Sequence, residues 1–291
     1  MKQFFSIFLK IVIPAILIIA IFQFHVLAGI GALAVYVGIA IIRLRVRWYA
    51  LRGNVAYANG NVKAAQELLD KAARTGKADA KILNGYGYLL LTQGQVEAAE
   101  EWVLQALEKS ESRQDQMNSK INLSLVLWLK GEQGRAILQL RELNKEMKNT
   151  IIYGNLGYFL VLRGYLEEAL EYNLEAYTFN GESKTILDNL GQTYYLMGDM
   201  EKAQEIYRKL IPMKPTIAEP YYYYACTLEQ LDETEEAILQ LERALEYEVS
   251  LISSIQKSMI EQKLEALRAR ATVQLDKQAS EEEDGFVQTE S

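Results

Sequence analysis

One turn recurs six times along this chain, and it restricts the fold more than any other feature. The segments ANGNVKAA, TQGQVEAA, LKGEQGRA, LRGYLEEA, LMGDMEKA and QLDETEEA each place a turn residue five positions before an alanine. The turn residues are Gly60, Gly94, Gly131, Gly164, Gly198 and Asp232, at successive spacings of 34, 37, 33, 34 and 34. The alanines are Ala65, Ala99, Ala136, Ala169, Ala203 and Ala237. Self-similarity at a period of roughly 20–50 residues marks a chain built as an array. Apolar positions recur at three and four within each unit, so a unit reads as two amphipathic helices joined by a short link. One such pair cannot bury its own apolar face, and the units must therefore stack. A small residue late in the first helix and an alanine early in the second let the two backbones approach. A large side chain at Ala169 or Ala203 is accordingly expected to cost about 1–3 kcal/mol by overpacking.

The pattern resembles the tetratricopeptide repeat. The fourth unit, YGNLGYFLVLRGYLEEALEYNLEA, carries Tyr153, Leu156-Gly157, Leu160, Ala169 and Ala176 in the family's order. The fifth carries Leu187, Leu190-Gly191, Tyr194, Ala203, Tyr207 and Pro215, and the second Leu83, Gly87, Ala99 and Ala106. The third departs with Ser124 for glycine, the sixth with Ala225 there and Asp232 at the turn. The resemblance covers about 200 of the 291 residues. It implies an all-α fold, a right-handed α-solenoid of about six helix pairs over 49–251, with repeats near 46–79, 80–113, 117–150, 150–183, 184–217 and 218–251. Extra residues around Glu111 to Gln116 are expected to form an ordinary loop. Ile255, Met259, Leu264 and Leu267 make one stripe, so 252–276 is predicted to be a helix capping the last repeat. Residues 277–291 are acidic and poor in apolar side chains, which predicts a disordered tail, most simply an inert solubilising one.

Ahead of the array, no charged residue occurs from Ile11 to Ile42. As one helix that stretch would reach about 48 Å, against a hydrocarbon core of about 30 Å. The polar break Gln23-Phe24-His25 predicts a membrane anchor over 1–48 folded as a helical hairpin, with spans near 4–22 and 26–42. One tilted span with an interfacial leader is the alternative, so the solenoid is preceded by one or two transmembrane helices. Val26-Leu27-Ala28 has the spacing of a signal-peptidase site, but the apolar run continues past it and ends in basic residues, as a retained span does. Arg43, Arg45 and Arg47 follow the span and set its orientation: positive charge stays on the cytoplasmic side. The repeats are therefore expected to be cytoplasmic, on a protein integral to the cell membrane.

Charge and chemistry exclude several function classes. The net charge is −7, yet residues 1–48 hold five cations and no acid, leaving −12 on the rest. An acidic array repels phosphates, which argues against nucleic acid as the partner. The one cysteine, Cys226, forms no internal disulfide, and the one histidine, His25, builds no metal site alone. With no histidine in the repeats, no nucleophile elbow and no phosphate-cradling loop, neither an enzyme, a cofactor, a metal nor a small-molecule substrate is expected. Tetratricopeptide arrays bind partners along the face lined by each first helix. That resemblance assigns a groove to Asn54, Tyr57, Tyr88, Leu91, Leu125, Trp128, Tyr158, Val161, Gln192, Tyr195 and Tyr222. Its aromatic and aliphatic middle suits an extended apolar peptide or an amphipathic helix. The leading expectation is a non-enzymatic membrane-anchored adaptor that holds a protein partner. The alternative is an assembly or quality-control factor for a membrane protein complex, in which Gly29, Gly31 and Gly38 also let the anchor pack on partner helices.

Overall fold

A computed structural model of the chain describes residues 12–289, with side chains for 12–42 and 44–273. The beginning of the first expected span, with Lys2 and Lys10, lies outside the described residues. Among the described residues all regular structure is helical. The helices are α1 (Ile13–Phe24), α2 (Val26–Ala58), α3 (Val62–Ala73), α4 (Ala80–Thr92), α5 (Val96–Glu108), α6 (Arg113–Leu129), α7 (Gln133–Glu146), α8 (Thr150–Leu162), α9 (Leu166–Phe179), α10 (Lys184–Met197), α11 (Met200–Leu210), α12 (Glu219–Gln230), α13 (Thr234–Ala244) and α14 (Lys257–Thr289). They form two compact units, residues 1–123 and 124–291.

Each predicted turn takes the backbone it was read to need. Gly60, Gly94, Gly131, Gly164 and Gly198 all have positive φ, from 70 to 84°, and Asp232 has φ 59°. An L-residue pays for that left-handed geometry and glycine does not, so the turn glycines follow from the sharp link between paired helices. All six alanines are fully buried at 0% exposure. Their counterparts on the first helices are equally tight. A Cβ on Gly87 would stand 2.6 Å from Val103 Cγ2, and one on Gly191 would stand 2.8 Å from Tyr207 Cζ. Asparagine side chains cap several helices: Asn61 accepts from the Ala64 amide at 3.1 Å and Asn149 from the Ile151 amide at 2.7 Å.

Three local expectations change. The link around Glu111 to Gln116 is not all loop, because α6 starts at Arg113. Ser112 accepts from the Asp115 amide at 3.0 Å and donates to the Asp115 carboxylate at 2.6 Å, so a serine and an acid three residues on nucleate the helix early. In the capping helix Met259 is 39% exposed, and Ile260 takes the buried place beside Leu264 and Leu267. Helical backbone also continues to Thr289, over the stretch expected to be disordered. Alanine and glutamate are good helix formers, and extending an existing helix costs no new nucleus.

In unit 1 the decisive element is α2. It runs unbroken from Val26 to Ala58, so no joint separates the apolar segment from the first helix of the first repeat. Ile30, Val35, Val37, Ile39 and Ile41 are exposed along its first half. Further along, Val46, Ala50 and Gly53 are buried against the repeat, and a Cβ on Gly53 would stand 2.8 Å from Leu69 Cγ. α2 is long and apolar enough to cross a membrane, whereas α1 is shorter. His25 makes the break between them, in extended conformation, its Nδ1 accepting from the Ala28 amide at 3.4 Å.

Unit 2 has a continuous core through α10–α14, built on Leu190, Tyr207, Leu210, Tyr221, Leu228, Leu241 and Leu264. Two buried asparagines beside it are paired across helices. Asn189 donates to the Gly154 carbonyl at 2.7 Å, and Asn173 to Thr193 Oγ1 at 3.1 Å. These bonds fix the register of α8, α9 and α10, because a slipped helix would leave each amide buried and unpaired.

Candidate partner-binding faces

Two positions on each first helix account for nearly all the expected groove: the residue after the small packing residue, and the residue three further on. In unit 1 the first position supplies Asn54 and Tyr88 and the second Tyr57 and Leu91. Tyr57 and Tyr88 are 42% and 45% exposed, and Asn54 is exposed as well. Burial of part of its ring raises the Tyr88 hydroxyl pKa, with a further contribution from Tyr57. Leu91 is buried and belongs to the packing instead.

In unit 2 the same positions close. Trp128 is only 7% exposed because it stacks on Phe159, with ring centroids 4.0 Å apart and planes 16° apart. Val161, Gln192 and Tyr222 are buried too, while Leu125, Tyr158 and Tyr195 are half-buried. The expected lining thus separates into residues that face out and residues spent on holding neighbouring repeats together. The second position is buried at Leu91, Trp128 and Val161 but open at Tyr57, and the first is open at Asn54 and Tyr88 but buried at Gln192.

What closes this face is a segment that sequence reasoning did not foresee. Residues 245–256, between α13 and α14, form a strap held at several points. The Ala218 amide donates to the Glu248 carbonyl at 3.2 Å, and the Ser250 amide to Glu219 Oε1 at 2.9 Å. The Tyr223 and Ser254 hydroxyls share a hydrogen bond at 2.6 Å. Tyr221 stacks on Tyr247 at 5.2 Å, and Ile255 is buried. Beneath the strap lie Tyr158, Asp188, Gln192, Glu219 and Tyr223, of which only Tyr158 and Gln192 were expected to be functional. Burial, then the charge of Glu219, holds the Asp188 carboxyl well above the usual carboxylate range. Burial, then Glu219 and Asp188, likewise raises the Tyr158 hydroxyl. The sequence carries only a trace of this layer: Asp188 and Gln192, then Glu219 and Tyr223, are polar pairs one turn apart, standing at different register positions of adjacent repeats. Nothing in the sequence says that a strap folds over them.

Cys226 sits in the same wall, and burial pushes its thiol up to about 11. The nearby Lys263 ammonium and the Tyr222 and Tyr195 hydroxyls only partly offset that burial. A thiol held protonated in this way is a packed residue and not a nucleophile. Among the described residues no group of three or more His, Cys, Asp or Glu side chains is placed to hold a metal ion.

Where the apolar stretch of α2 ends, Arg45 donates to the Tyr49 hydroxyl at 3.2 Å, and the Arg52 guanidinium lies 5.7 Å from the centre of the Trp48 ring. Arg47 is exposed on the same helix; Arg43 is part of α2, with its side chain outside the described residues. Basic and aromatic side chains thus alternate on α2 directly after the apolar stretch, the composition of a membrane–water boundary.

Comparison with known proteins agrees with this architecture. Two tetratricopeptide-repeat family models match residues 51–116 and 185–217. A TPR repeat-containing protein of Methanocaldococcus jannaschii is 28% identical over 127 residues, 40% of this chain, and the match spans 22% of that relative's length. Among solved structures, the APC/C hetero-tetramer Cut9-Hcn1 aligns with 77% of this chain and 43% of its own at a TM-score of 0.62 and 15% identity. The pilF protein of Pseudomonas aeruginosa aligns with 77% of this chain and 98% of its own, at 0.56 and 15%. Identities this low bear on the fold alone.

Proposed function

Because the chain belongs to the tetratricopeptide-repeat family, whose arrays serve as protein-interaction scaffolds, we propose that it is a non-enzymatic adaptor anchored in the cell membrane. The repeats stand on the cytoplasmic side, and a protein segment docks on the open first-helix face of unit 1. The observation that carries the reading is the continuity of α2. A helix whose apolar half is exposed, whose next turns carry Arg45, Arg47, Trp48 and Tyr49, and whose last turns build the first repeat fastens the scaffold to the bilayer without a flexible joint. Exposed Tyr57 and Tyr88 offer an apolar body with a polar tip, a combination enriched where proteins dock on one another.

The test is a crosslinked pull-down from native membranes with a mass-spectrometric census, comparing the intact protein with a Tyr57→Ala/Tyr88→Ala variant. Loss of a specific partner from the variant supports docking on this face. Recovery of the same partners from both sinks it. A second reading, assembly of a membrane protein complex through the anchor, draws on Gly31 and Gly38. Neither would bring an added Cβ within 4 Å of another group, so a notch on α2 is open to a partner helix. Gly31→Leu/Gly38→Leu loses partners under that reading and leaves the census unchanged under the first.

A further inference from the structure

The strap of unit 2 covers a layer that holds three unmet acceptors. Asp188, Gln192 and Glu219 are 6%, 1% and 2% exposed. Asp188 and Gln192 stand one turn apart on α10, Glu219 and Tyr223 one turn apart on α12, and the two pairs meet: Tyr223 bonds to Gln192, and Asp188 feels the charge of Glu219. The strap satisfies Glu219 Oε1 through the Ser250 amide. Asp188 Oδ1, Gln192 Oε1 and Glu219 Oε2 have no hydrogen-bond partner, whereas the Tyr158 hydroxyl lies against Ser253 of the strap. Among the described residues no lysine or arginine forms an ion pair with either carboxylate. Proteins rarely bury two acids and an amide acceptor in this way without something to meet them.

The donor count identifies the missing group. Three orphan acceptors, two of them on acids, call for one positive charge carrying three donors, which is the inventory of a primary ammonium. Among the described residues no group of three or more His, Cys, Asp or Glu side chains is placed to hold a divalent cation. We propose that Asp188, Gln192 and Glu219 form a binding site for a primary ammonium group, the side chain of a lysine in a partner segment, with the strap as its cover. The proposal rests on the reading of this chain as a peptide-binding scaffold and names the chemistry of one partner residue. Entry requires the strap to lift, and its bonds suit that role. One amide–carboxylate bond and one hydroxyl pair hold residues 250–254 over the site, whereas buried Ile255 keeps the strap attached at its far end.

The test is calorimetric titration of the full chain in detergent micelles with n-pentylammonium, a copy of the lysine side chain. Tetramethylammonium, which has the charge and no N–H, and calcium serve as comparison probes. Binding of n-pentylammonium alone is expected, weaker by at least about tenfold in Asp188→Asn and in Glu219→Gln, and several-fold tighter in Ser254→Gly, which frees the strap from Tyr223; a tenfold change is well within calorimetric reach. Circular dichroism establishes that each variant is folded. A capped pentapeptide with a central lysine, set against the same peptide with norleucine, separates a protein source from a free amine. Lysine-dependent binding supports the proposal, and exclusion of the peptide with retention of n-pentylammonium overturns it. It is equally overturned by no binding to wild type or Ser254→Gly, by binding indifferent to both acid substitutions, or by calcium as the preferred ligand. Failure here leaves the Tyr57/Tyr88 partner census untouched, so the two readings fall separately.

Discussion

Follow one register position along the repeats, the residue after the small packing residue of each first helix. In unit 1 it is Asn54 and Tyr88, both exposed; in unit 2 it is half-buried Leu125 and Tyr158, then Gln192 and Cys226, both buried. The helix pair is the same throughout, so the pair does not decide whether its face is open. Over Tyr158 and Gln192 the strap at 245–256 does, with Ser250 on Glu219 and Ser254 on Tyr223. A repeat thus supplies a position, and neighbouring chain decides whether that position is a surface.

The comparison breaks most visibly if open and closed positions respond alike to truncation. Trp128→Ala removes a buried ring stacked on Phe159 and is expected to cost about 3–5 kcal/mol, whereas Tyr57→Ala or Tyr88→Ala stays within about 0.5 kcal/mol. Urea denaturation of the three variants measures this. A mild Trp128→Ala would mean that the stacked pair in unit 2 carries little of its stability. The result also governs the choice of partner-binding variants, since a change that unfolds the chain cannot report on docking.

Next in size is close approach between paired helices. Gly191→Ala pushes a Cβ to 2.8 Å from the buried Tyr207 ring, and a loss of about 1–3 kcal/mol is expected. Gly85→Ala on α4 meets nothing within 4 Å and is expected to gain about 0.5–1 kcal/mol, because alanine loses less backbone freedom in a helix. Melting curves showing the same sign for both would remove close packing as the reason for the Gly191 position.

The covered layer has a pH signature. The folded Asp188 carboxyl keeps its proton to higher pH than the unfolded one, because of burial and of Glu219, with Gln192, Tyr158, Tyr207 and Tyr223 around it. Folded protein therefore binds more protons than unfolded across that window. The contribution of Asp188 is fully present below the ordinary carboxylate range of about 4 and is lost as pH rises toward the raised folded value. Asparagine has no proton to lose, so the stability of Asp188→Asn relative to wild type should climb with pH above that range. Denaturation at a series of pH values reads the difference directly, and a flat difference means that Asp188 is not held protonated.

The smallest effect concerns the one turn without glycine. Asp232 has φ 59°, and Asp232→Gly is expected to stabilise by about 0.5–1 kcal/mol, given that an L-residue there pays roughly 1–2 kcal/mol for left-handed backbone. A neutral or harmful result in the melting temperature would show that the aspartate makes up its strain locally.

Local chemistry is legible in the sequence alone. The positive φ at the turns, the buried alanines and the apolar stretch with its basic end follow from glycine freedom, side-chain volume and charge, which act within a few residues. The candidate face is legible only as a register: Tyr57 and Tyr88 face outward as expected, while Leu91, Trp128, Val161, Gln192 and Tyr222 are spent on packing. Burial depends on what lies one repeat away, and a periodic pattern describes every repeat as though it had the same neighbours. Sequence by itself therefore determined a stack of helix pairs joined by left-handed turns and preceded by an apolar segment. Only the tertiary structure decided that α2 joins that segment to the first repeat without a break, and that residues 245–256 fold back to bury Asp188 and Glu219. The second is an outcome of contacts between residues about thirty positions apart in the chain, whose free energy no local pattern encodes.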